Sequence, residues 1–240
     1  MARQFLYGVN PVVAALTAKR RILEKLLVAP PLEEKKAVLD LAQGLVKVEY
    51  VSREKLERFA QNKPHQGLVL QASALPTTQQ VSARSPALPF SSLLLCLDHI
   101  TDPQNYGAIL RSALFLGVQT VFVSRKNACP ITPAVAKVSS GAVEYMDIRE
   151  VGDMPAFLQE CKGLGYTVLA SGGPGETLER YKVKSGPGKT VLVLGAEGEG
   201  IRPTVFAQCD YSVCVPGGHA TVDSLNVSCA TSILIYGLLH

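Results

Sequence analysis

SSLLLCLDHITDPQNYGAILRSALFLG, residues 91–117, leads from an apolar run through a polar turn into a helical pattern, and this stretch predicts the fold. The run 93–97 has the length and composition of a strand that is covered on both faces, as in parallel sheets. A helix is predicted over 106–116, and Gly117 ends it. A buried strand followed by a helix is the repeating unit of α/β proteins, so the stretch favours a parallel sheet with helices on both faces.

The same alternation continues to the C-terminus. Strands are predicted at 120–124, 145–148, 166–170, 190–194 and 211–215. Helices are predicted at 133–139, at 154–164 and from about Ser224 onward. Residues 92–240 are therefore expected to form one α/β domain with a mainly parallel sheet.

A smaller domain is predicted before this one. Its helices are expected at 11–16, 33–43 and 52–60 and its strands at 22–29, 46–51 and 67–72, with Asn10 and Ser52 as N-caps and Gly44 as a C-cap. Residues 76–91 are rich in Pro, Ser and Thr and lack apolar periodicity, which is typical of a linker. The predicted organisation is an α/β/α domain over 1–75, a linker over 76–91 and the larger domain over 92–240.

Positive charge is concentrated in the first third of the chain. Residues 1–75 carry 12 Lys and Arg against 7 Asp and Glu, a net charge of +5, whereas residues 76–240 carry 12 against 13 and have a net charge of −1. Such a distribution is expected if the first third approaches a polyanion, although a solvated basic surface explains it equally well. The candidate RNA contacts are Lys19, Arg20, Arg21, His65 and Gln66.

Several protein classes do not fit the composition. The six cysteines are scattered, without the short paired spacing of a zinc site or the density of a small secreted domain, and we interpret them as reduced thiols. The apolar stretch 225–239 is too short for a membrane span and contains polar residues such as Asn226 and Thr231. No signal peptide and no metal site are expected.

Two segments pair a predicted strand end with polar residues. Asn105 and Arg111 follow the first strand and lie six residues apart on the predicted helix, within about two turns but not on one line. The strand 191–194 runs into Gly195-Ala196-Glu197-Gly198-Glu199-Gly200, which exposes backbone N–H groups where open α/β sheets bind ligands. Each segment also has an ordinary explanation. In the first, Asn105 caps the helix and Arg111 lies on the surface; the second is a tight turn.

A third segment has the same character near the C-terminus. Val215-Pro216-Gly217 ends a predicted strand, and Ser224-Leu225-Asn226 begins the last helix. Ser224 is expected as its N-cap, and the amide of Asn226 in the first turn is then available to a ligand. Ordinary helix-start chemistry accounts for these residues when they are considered alone.

Taken in order, the three segments resemble the motifs of the SpoU (TrmH-like) family of S-adenosylmethionine (SAM)-dependent RNA 2′-O-ribose methyltransferases, in the SPOUT superfamily. The resemblance covers residues 92–240. The stretches Tyr7-Gly8-Val9-Asn10-Pro11 and His65-Gln66-Gly67 resemble the L30e-like substrate-binding domain of members that modify a guanosine in large-subunit rRNA. Residues 124–146 are similar to the mitochondrial branch, which implies a mitochondrial matrix protein, with the bacterial cytoplasm as the alternative.

The resemblance also implies a C-terminal trefoil knot, a homodimer and a site without metal. Arg111 is then the catalytic arginine, surrounded by Asn105, Glu197, Ser224 and Asn226. The apolar last helix contributes either to the dimer interface or to the core. The implied SAM contacts are Gly195, Ala196, Glu197, Gly198, Gly200, Val215, Pro216, Gly217, Ser224, Leu225 and Asn226.

One departure from the family pattern and three alternatives remain open. Residues 217–223 form a segment about one residue longer than the third motif usually has, a change at the expected methionine or adenine pocket. The alternatives are methylation of tRNA, a non-catalytic RNA-binding ribosome-assembly factor of the same fold, and a nucleotide-dependent oxidoreductase. The last needs a glycine fingerprint after the first strand, and residues 98–107 do not provide one.

Overall fold

The computed structural model describes residues 2–77, 92–177, 188–217, 221–222 and 224–240. The chain divides into two compact units. Unit 1 comprises Met1–Pro76 and Pro130–Tyr145, and unit 2 comprises Thr77–Cys129 and Met146–His240. Most of the predicted linker lies outside the described residues.

Unit 1 is built on a four-stranded sheet. Its strands are β1 (Arg3–Tyr7), β2 (Leu23–Val28), β3 (Lys47–Tyr50) and β4 (Leu68–Ser73), in the spatial order β1-β4-β2-β3. Strand β4 runs antiparallel to both neighbours, and β2 and β3 are parallel. The helices are α1 (Val9–Ala18), α2 (Lys36–Ala42) and α3 (Arg53–Phe59), with a 3₁₀ turn at Glu33–Lys35.

The predicted elements of this unit are present, with two corrections at its N-terminal end. Ser52 caps α3 as expected, because its side chain accepts a hydrogen bond from the backbone of Lys55 at 3.4 Å. Asn10 is not the cap of α1, since the helix begins at Val9, two residues earlier than predicted, and Gly8 occupies the cap position. Strand β1 was not predicted. It is an edge strand with an exposed beginning, and so it lacks the continuous apolar run of a covered strand.

Residues 130–145 pack with unit 1, although they lie within the range predicted for the larger domain. They form α5 (Pro133–Val138) and a 3₁₀ turn at Ala142–Glu144. A fully buried ion pair joins this segment to the sheet, with Arg21 Nη2 at 2.8 Å from Glu144 Oε1. Gly141 lies against α1 with a φ of +84°, where a Cβ atom would come within 2.4 Å of the Ala14 Cβ. The division into a domain over 1–75, a linker over 76–91 and a domain over 92–240 stays a prediction.

Unit 2 contains a six-stranded sheet that is parallel throughout, which confirms the predicted α/β class. Its strands have the spatial order β10-β8-β9-β5-β6-β7. They are β5 (Leu93–Asp98), β6 (Thr120–Ser124), β7 (Asp147–Val151), β8 (Tyr166–Thr177), β9 (Lys189–Gly195) and β10 (Tyr211–Cys214). The helices are α4 (Pro103–Phe115), α6 (Met154–Gly163), α7 (Pro203–Phe206) and α8 (Val227–Leu239).

The core of unit 2 fixes the strands whose ends carry the predicted motifs. Buried side chains of β5, β8 and β9 pack with α6 in one apolar cluster that includes Leu94, Val168, Val191 and Phe157. Because β10, β8, β9 and β5 are consecutive and parallel, their carboxyl ends lie along one edge of the sheet. That edge carries the second and third motifs and the start of the first.

Two features of unit 2 concern its C-terminal part. Strand β8 is longer than predicted, and its pairing with β10 jumps from Ser212 with Ala170 to Val213 with Glu176. The trefoil knot stays a prediction. None of the helices among the described residues is long and apolar enough to cross a membrane.

Candidate active site

Three of the predicted polar residues meet at the carboxyl edge of the parallel sheet. Asn105 Nδ2 donates a hydrogen bond to Glu197 Oε2 at 2.9 Å, and Asn226 Nδ2 donates to Asn105 Oδ1 at 2.8 Å. Asn226 Nδ2 also lies 3.4 Å from Glu197 Oε2. We call these three residues the amide–carboxylate cluster. One member comes from each motif, so the fold brings together side chains that are far apart in the sequence.

Two helix starts hold the asparagines of the cluster. Asn105 lies in the first turn of α4, where the Asp102 side chain caps the helix by accepting from the Asn105 backbone N–H at 3.0 Å. Asn226 is itself the N-cap of α8, because its Oδ1 accepts from the backbone N–H of Ser228 at 2.9 Å. The Asn226 amide therefore directs its oxygen to the helix and its nitrogen to the cluster.

The prediction that Ser224 caps the last helix is wrong, since Asn226 does so. A serine and an asparagine are both good caps, and the sequence Ser-Leu-Asn does not distinguish them. Ser224 and Leu225 lie exposed just before the cap.

A tight turn presents the carboxylate of the cluster. Ala196 and Gly200 exchange two backbone hydrogen bonds, of 3.1 and 2.9 Å, and close a loop around Glu197. At Gly195 a Cβ atom would lie 2.2 Å from the carbonyl carbon of Gly200, so only glycine permits this closure. The glycines of the second motif are thus required by the turn itself, and the turn leaves Glu197 exposed at the end of β9.

A buried carboxylate anchors the same turn. Asp98, the fully buried last residue of β5, accepts from the Arg202 backbone N–H at 3.0 Å and from Arg202 Nε at 2.9 Å. Arg202 follows the turn directly, so the ion pair ties the turn to the centre of the sheet. Neither Asp98 nor Arg202 is among the predicted site residues. The signal was an acidic residue that ends the otherwise apolar strand LLLCLD.

Arg111 does not join the amide–carboxylate cluster. It is exposed on α4, about 9 Å beyond Asn105 along the helix axis. Within the described part of the chain it has no hydrogen-bond or ion-pair partner. Instead it lines an apolar groove of about 570 Å³ between α4 and α8, which we call the α4/α8 groove. The other lining residues are Ser112, Phe115, Leu116, Ser232, Ile233 and Tyr236.

The residues of the carboxyl edge suit a ligand such as SAM. Residues 197–200 of the turn and residues 216–217 after β10 are exposed at this edge. Gly217 approaches Val222, whose oxygen would lie 3.8 Å from a Cβ at Gly217. The exposed Glu197 carboxylate complements a positive sulfonium centre. Val215 is half-buried, whereas Pro216 and Gly217 are exposed. Residues 218–220 and 223, the centre of the longer third motif, lie outside the described residues.

The residues predicted to contact RNA are divided by the structure. Arg21 is buried, and besides Glu144 its guanidinium donates to Gln4 Oε1 at 2.8 Å. His65 is also buried, its Nδ1 accepts from the Gly67 N–H at 3.0 Å, and burial lowers the pKa of its imidazole. Burial argues against RNA contact most strongly for Arg21, whose side chain is enclosed beside Glu144, whereas His65 is buried but lines a cavity together with Lys63 and Gln66. Both contacts stay predictions.

The other three predicted contacts are more accessible. Lys19 is exposed where α1 ends, and Arg20 is half-buried and donates to the Glu144 backbone oxygen at 3.2 Å. Gln66 is exposed, but its Oε1 accepts from Lys137 Nζ at 2.8 Å. Among the predicted contacts, Lys19 therefore has the most accessible charged group.

Comparison with known families assigns both parts of the chain. The model of the SpoU rRNA methylase family matches residues 92–236, and that of the RNA 2′-O-ribose methyltransferase substrate-binding domain matches residues 5–78. This chain belongs to the SpoU rRNA methylase family. The resemblance drawn from the three motifs is confirmed.

Individual relatives agree with this assignment. The chain is 35% identical to the human mitochondrial rRNA methyltransferase 1, over 98% of this chain and 72% of the relative. It is 32% identical to the 23S rRNA (guanosine-2′-O-)-methyltransferase RlmB of Pseudomonas aeruginosa, over 98% and 95% of the two chains. A solved structure of the SpoU methyltransferase AviRb from Streptomyces viridochromogenes, in complex with AdoMet, has the same fold, with a TM-score of 0.79, 19% identity and coverage of 99% and 89%.

Proposed function

We propose that this protein transfers a methyl group from SAM to the 2′-hydroxyl of a guanosine ribose in large-subunit rRNA. The main support is the amide–carboxylate cluster, in which one residue from each of the three motifs takes part. The cluster lies at the carboxyl edge of a parallel sheet, where such sheets bind ligands. The names of the human and P. aeruginosa relatives, an rRNA methyltransferase and a guanosine-2′-O-methyltransferase, support the substrate.

In this proposal the second and third motifs hold the cofactor. The residues that would hold SAM are Gly195, Ala196, Gly198 and Gly200 of the turn, Val215–Gly217 after β10, and Ser224 and Leu225 beside Asn226. When bound, SAM supplies an electrophilic methyl group on a positively charged sulfur. Glu197, held by the amides of Asn105 and Asn226, would balance that charge.

Arg111 acts on the RNA in this proposal. A guanidinium keeps its proton throughout the physiological pH range, so it is a poor general base. It can bind the adjacent phosphate and stabilise negative charge on the 2′-oxygen while phosphate or water accepts the proton. A rate–pH profile of Arg111→Lys tests both roles, because a point charge cannot replace the bidentate guanidinium. Activity close to wild type at all pH values would contradict them.

We further propose that a second copy of the chain covers the α4/α8 groove. Phe115 is 88% exposed there, and Ile233 and Tyr236 are 47% and 57% exposed, which is a large apolar surface for an isolated chain. Since Arg111 lines this groove and not the cluster, dimerisation would place it near the cofactor of the second copy. Sedimentation should give a dimer for the wild type and a monomer for Phe115→Glu. A monomeric wild type at micromolar concentration would contradict the proposal.

The direct test of the cofactor is calorimetric titration with SAM and S-adenosylhomocysteine. One site per chain is expected, and Asn226→Ala should lose it. If neither ligand binds, with or without RNA, a non-catalytic ribosome-assembly factor becomes the better explanation. Methylation of tRNA transcripts in preference to rRNA would instead favour the tRNA alternative.

We also propose the mitochondrial matrix as the location of the protein. The relatives from human and Schizosaccharomyces pombe are named as mitochondrial, and the latter is 31% identical over 99% of this chain. The similar identity to bacterial RlmB proteins supports the bacterial cytoplasm as the alternative. Immunodetection in fractions of the source cells should find the protein with matrix markers, and its absence from mitochondria would contradict this proposal.

A further inference from the structure

Unit 1 contains a cavity of about 360 Å³ whose lining combines aromatic rings with exposed cations. Phe5 and Phe59 are half-buried in its wall, with ring centroids 4.9 Å apart and planes tilted by 34°. Arg3 and Lys63 are exposed and line the same cavity. Its volume falls in the range of small-ligand sites. We call it the β1/α3 cavity, because its aromatic residues come from β1 and α3.

An unusual backbone conformation shapes one side of the β1/α3 cavity. Gln61 and Asn62 follow α3 with φ values of +52° and +58°, in the left-handed region that non-glycine residues rarely adopt. The turn is held by hydrogen bonds from Asn62 N to the Glu57 oxygen at 2.9 Å and from Lys63 N to the Ala60 oxygen at 3.0 Å. A left-handed residue after the C-cap is a common way for a helix to end, and here it brings the chain to Lys63 at the cavity.

The two cations at the cavity differ in their pairing. Arg3 Nε lies 3.1 Å from Glu24 Oε2, so part of its charge is balanced. Lys63 has neither an ion pair nor a hydrogen bond from its side chain within the described residues. It also lines a second cavity, together with Arg53. Lys63 is therefore available to an anionic ligand next to the aromatic wall.

Aromatic faces beside free cations are the means by which proteins bind single-stranded RNA, since bases stack on the rings while cations contact the phosphates. We propose that the β1/α3 cavity binds an unpaired nucleobase of the substrate RNA, with Phe59 as the stacking surface and Lys63 on the neighbouring phosphate. This inference rests on the proposed function, which makes RNA the substrate. It adds a base-dependent contact made by unit 1 alone.

The experiment is a titration of the full chain with a short single-stranded RNA that carries one 2-aminopurine. The same RNA with an abasic residue at that position serves as the comparison. Stacking in the cavity should quench 2-aminopurine fluorescence, and the abasic RNA should bind about tenfold more weakly. Unquenched fluorescence together with equal affinity for the two RNAs would overturn the proposal, because binding would then depend on the phosphates alone.

Two matched pairs of variants locate the contact. Phe59→Leu keeps an apolar side chain without an aromatic face and should lose the quenching, whereas Phe59→Tyr should keep it. Lys63→Gln should weaken the binding of both RNAs equally and reduce the salt dependence of binding. The control Lys47→Gln replaces an exposed lysine on β3 and should change neither quantity. If Phe59→Leu binds and quenches like the wild type, the cavity does not hold the base.

SAM titration of the same preparations separates this proposal from the proposed function. Intact SAM binding and methyl transfer with base-independent RNA binding would overturn the β1/α3 cavity alone. Base-dependent RNA binding without SAM binding would support the cavity and overturn the methyltransferase.

Discussion

Two groups of residues were predicted from the sequence to act together: the amide–carboxylate cluster of unit 2 and the basic run Lys19-Arg20-Arg21 of unit 1. Their side chains are arranged differently in the structure. The cluster side chains converge, because parallel strands place their carboxyl ends at one edge. The basic run separates into an exposed lysine, a half-buried arginine and a fully buried arginine. Strand topology therefore predicts where polar residues meet, whereas net charge does not predict which cations reach solvent.

The largest expected effect comes from breaking the buried ion pair of unit 1. Arg21→Met leaves Glu144 buried without its partner, which should lower the free energy of unfolding by about 3–5 kcal/mol. Lys19→Met, two positions earlier and exposed, should change it by no more than about 0.5 kcal/mol. Denaturant unfolding of the two variants measures the difference, and equal stabilities would contradict the distinction between the two cations.

The next effect concerns the carboxylate of the cluster. Glu197→Gln keeps the shape of the side chain and removes its charge, so methyl transfer should fall about 100-fold. Glu199→Gln changes an exposed carboxylate in the same turn and should leave the rate within about twofold. Single-turnover methyl transfer measures both variants. Similar losses in the two would mean that the turn needs negative charge in general and not Glu197 itself.

A smaller effect is expected from the anchor of the turn. Arg202→Lys keeps a positive charge near Asp98 but loses the forked guanidinium contact, so the affinity for SAM should fall about tenfold. Arg125→Lys, at an exposed position after β6, provides the matched control. Calorimetric titration gives both affinities. An unchanged affinity in Arg202→Lys would show that the turn holds its shape without the forked guanidinium contact.

The last effect is a gradual loss of stability at alkaline pH. Burial raises the pKa of the Cys161 thiol to about 12 and that of Cys209 to about 11, from an ordinary value of 9.0. The stability contributed by these protonated thiols is fully present below pH 9 and is lost as the pH rises toward 11 and 12. The free energy of unfolding should therefore fall from pH 8.5 to 10.5, and less so in Cys161→Ala. An increase with pH would contradict the burial of these thiols.

Much of unit 2 could be predicted because its signals are local. The run 93–97, the strand 120–124 and the glycine turn after β9 each have a physical pattern in the sequence, and the structure contains all three. The meeting of Asn105, Glu197 and Asn226 follows from strand order, which the family resemblance implied.

The missed features depend on partners that are distant in the sequence. Glu144 lies 123 positions from Arg21, and Arg202 lies 104 positions from Asp98, so no local pattern reports either pair. Strand β1 was missed because an edge strand is only partly buried. The cap of α8 was misassigned because Ser224 and Asn226 have similar capping chemistry.

The most direct measurement is the position of the methyl group after single-turnover reaction of the full chain with labelled SAM and large-subunit rRNA. We expect one alkali-resistant dinucleotide with a methylated guanosine ribose, formed by the wild type and absent with Asn226→Ala. A labelled base, label in tRNA but not in rRNA, or undiminished labelling by Asn226→Ala would contradict the account.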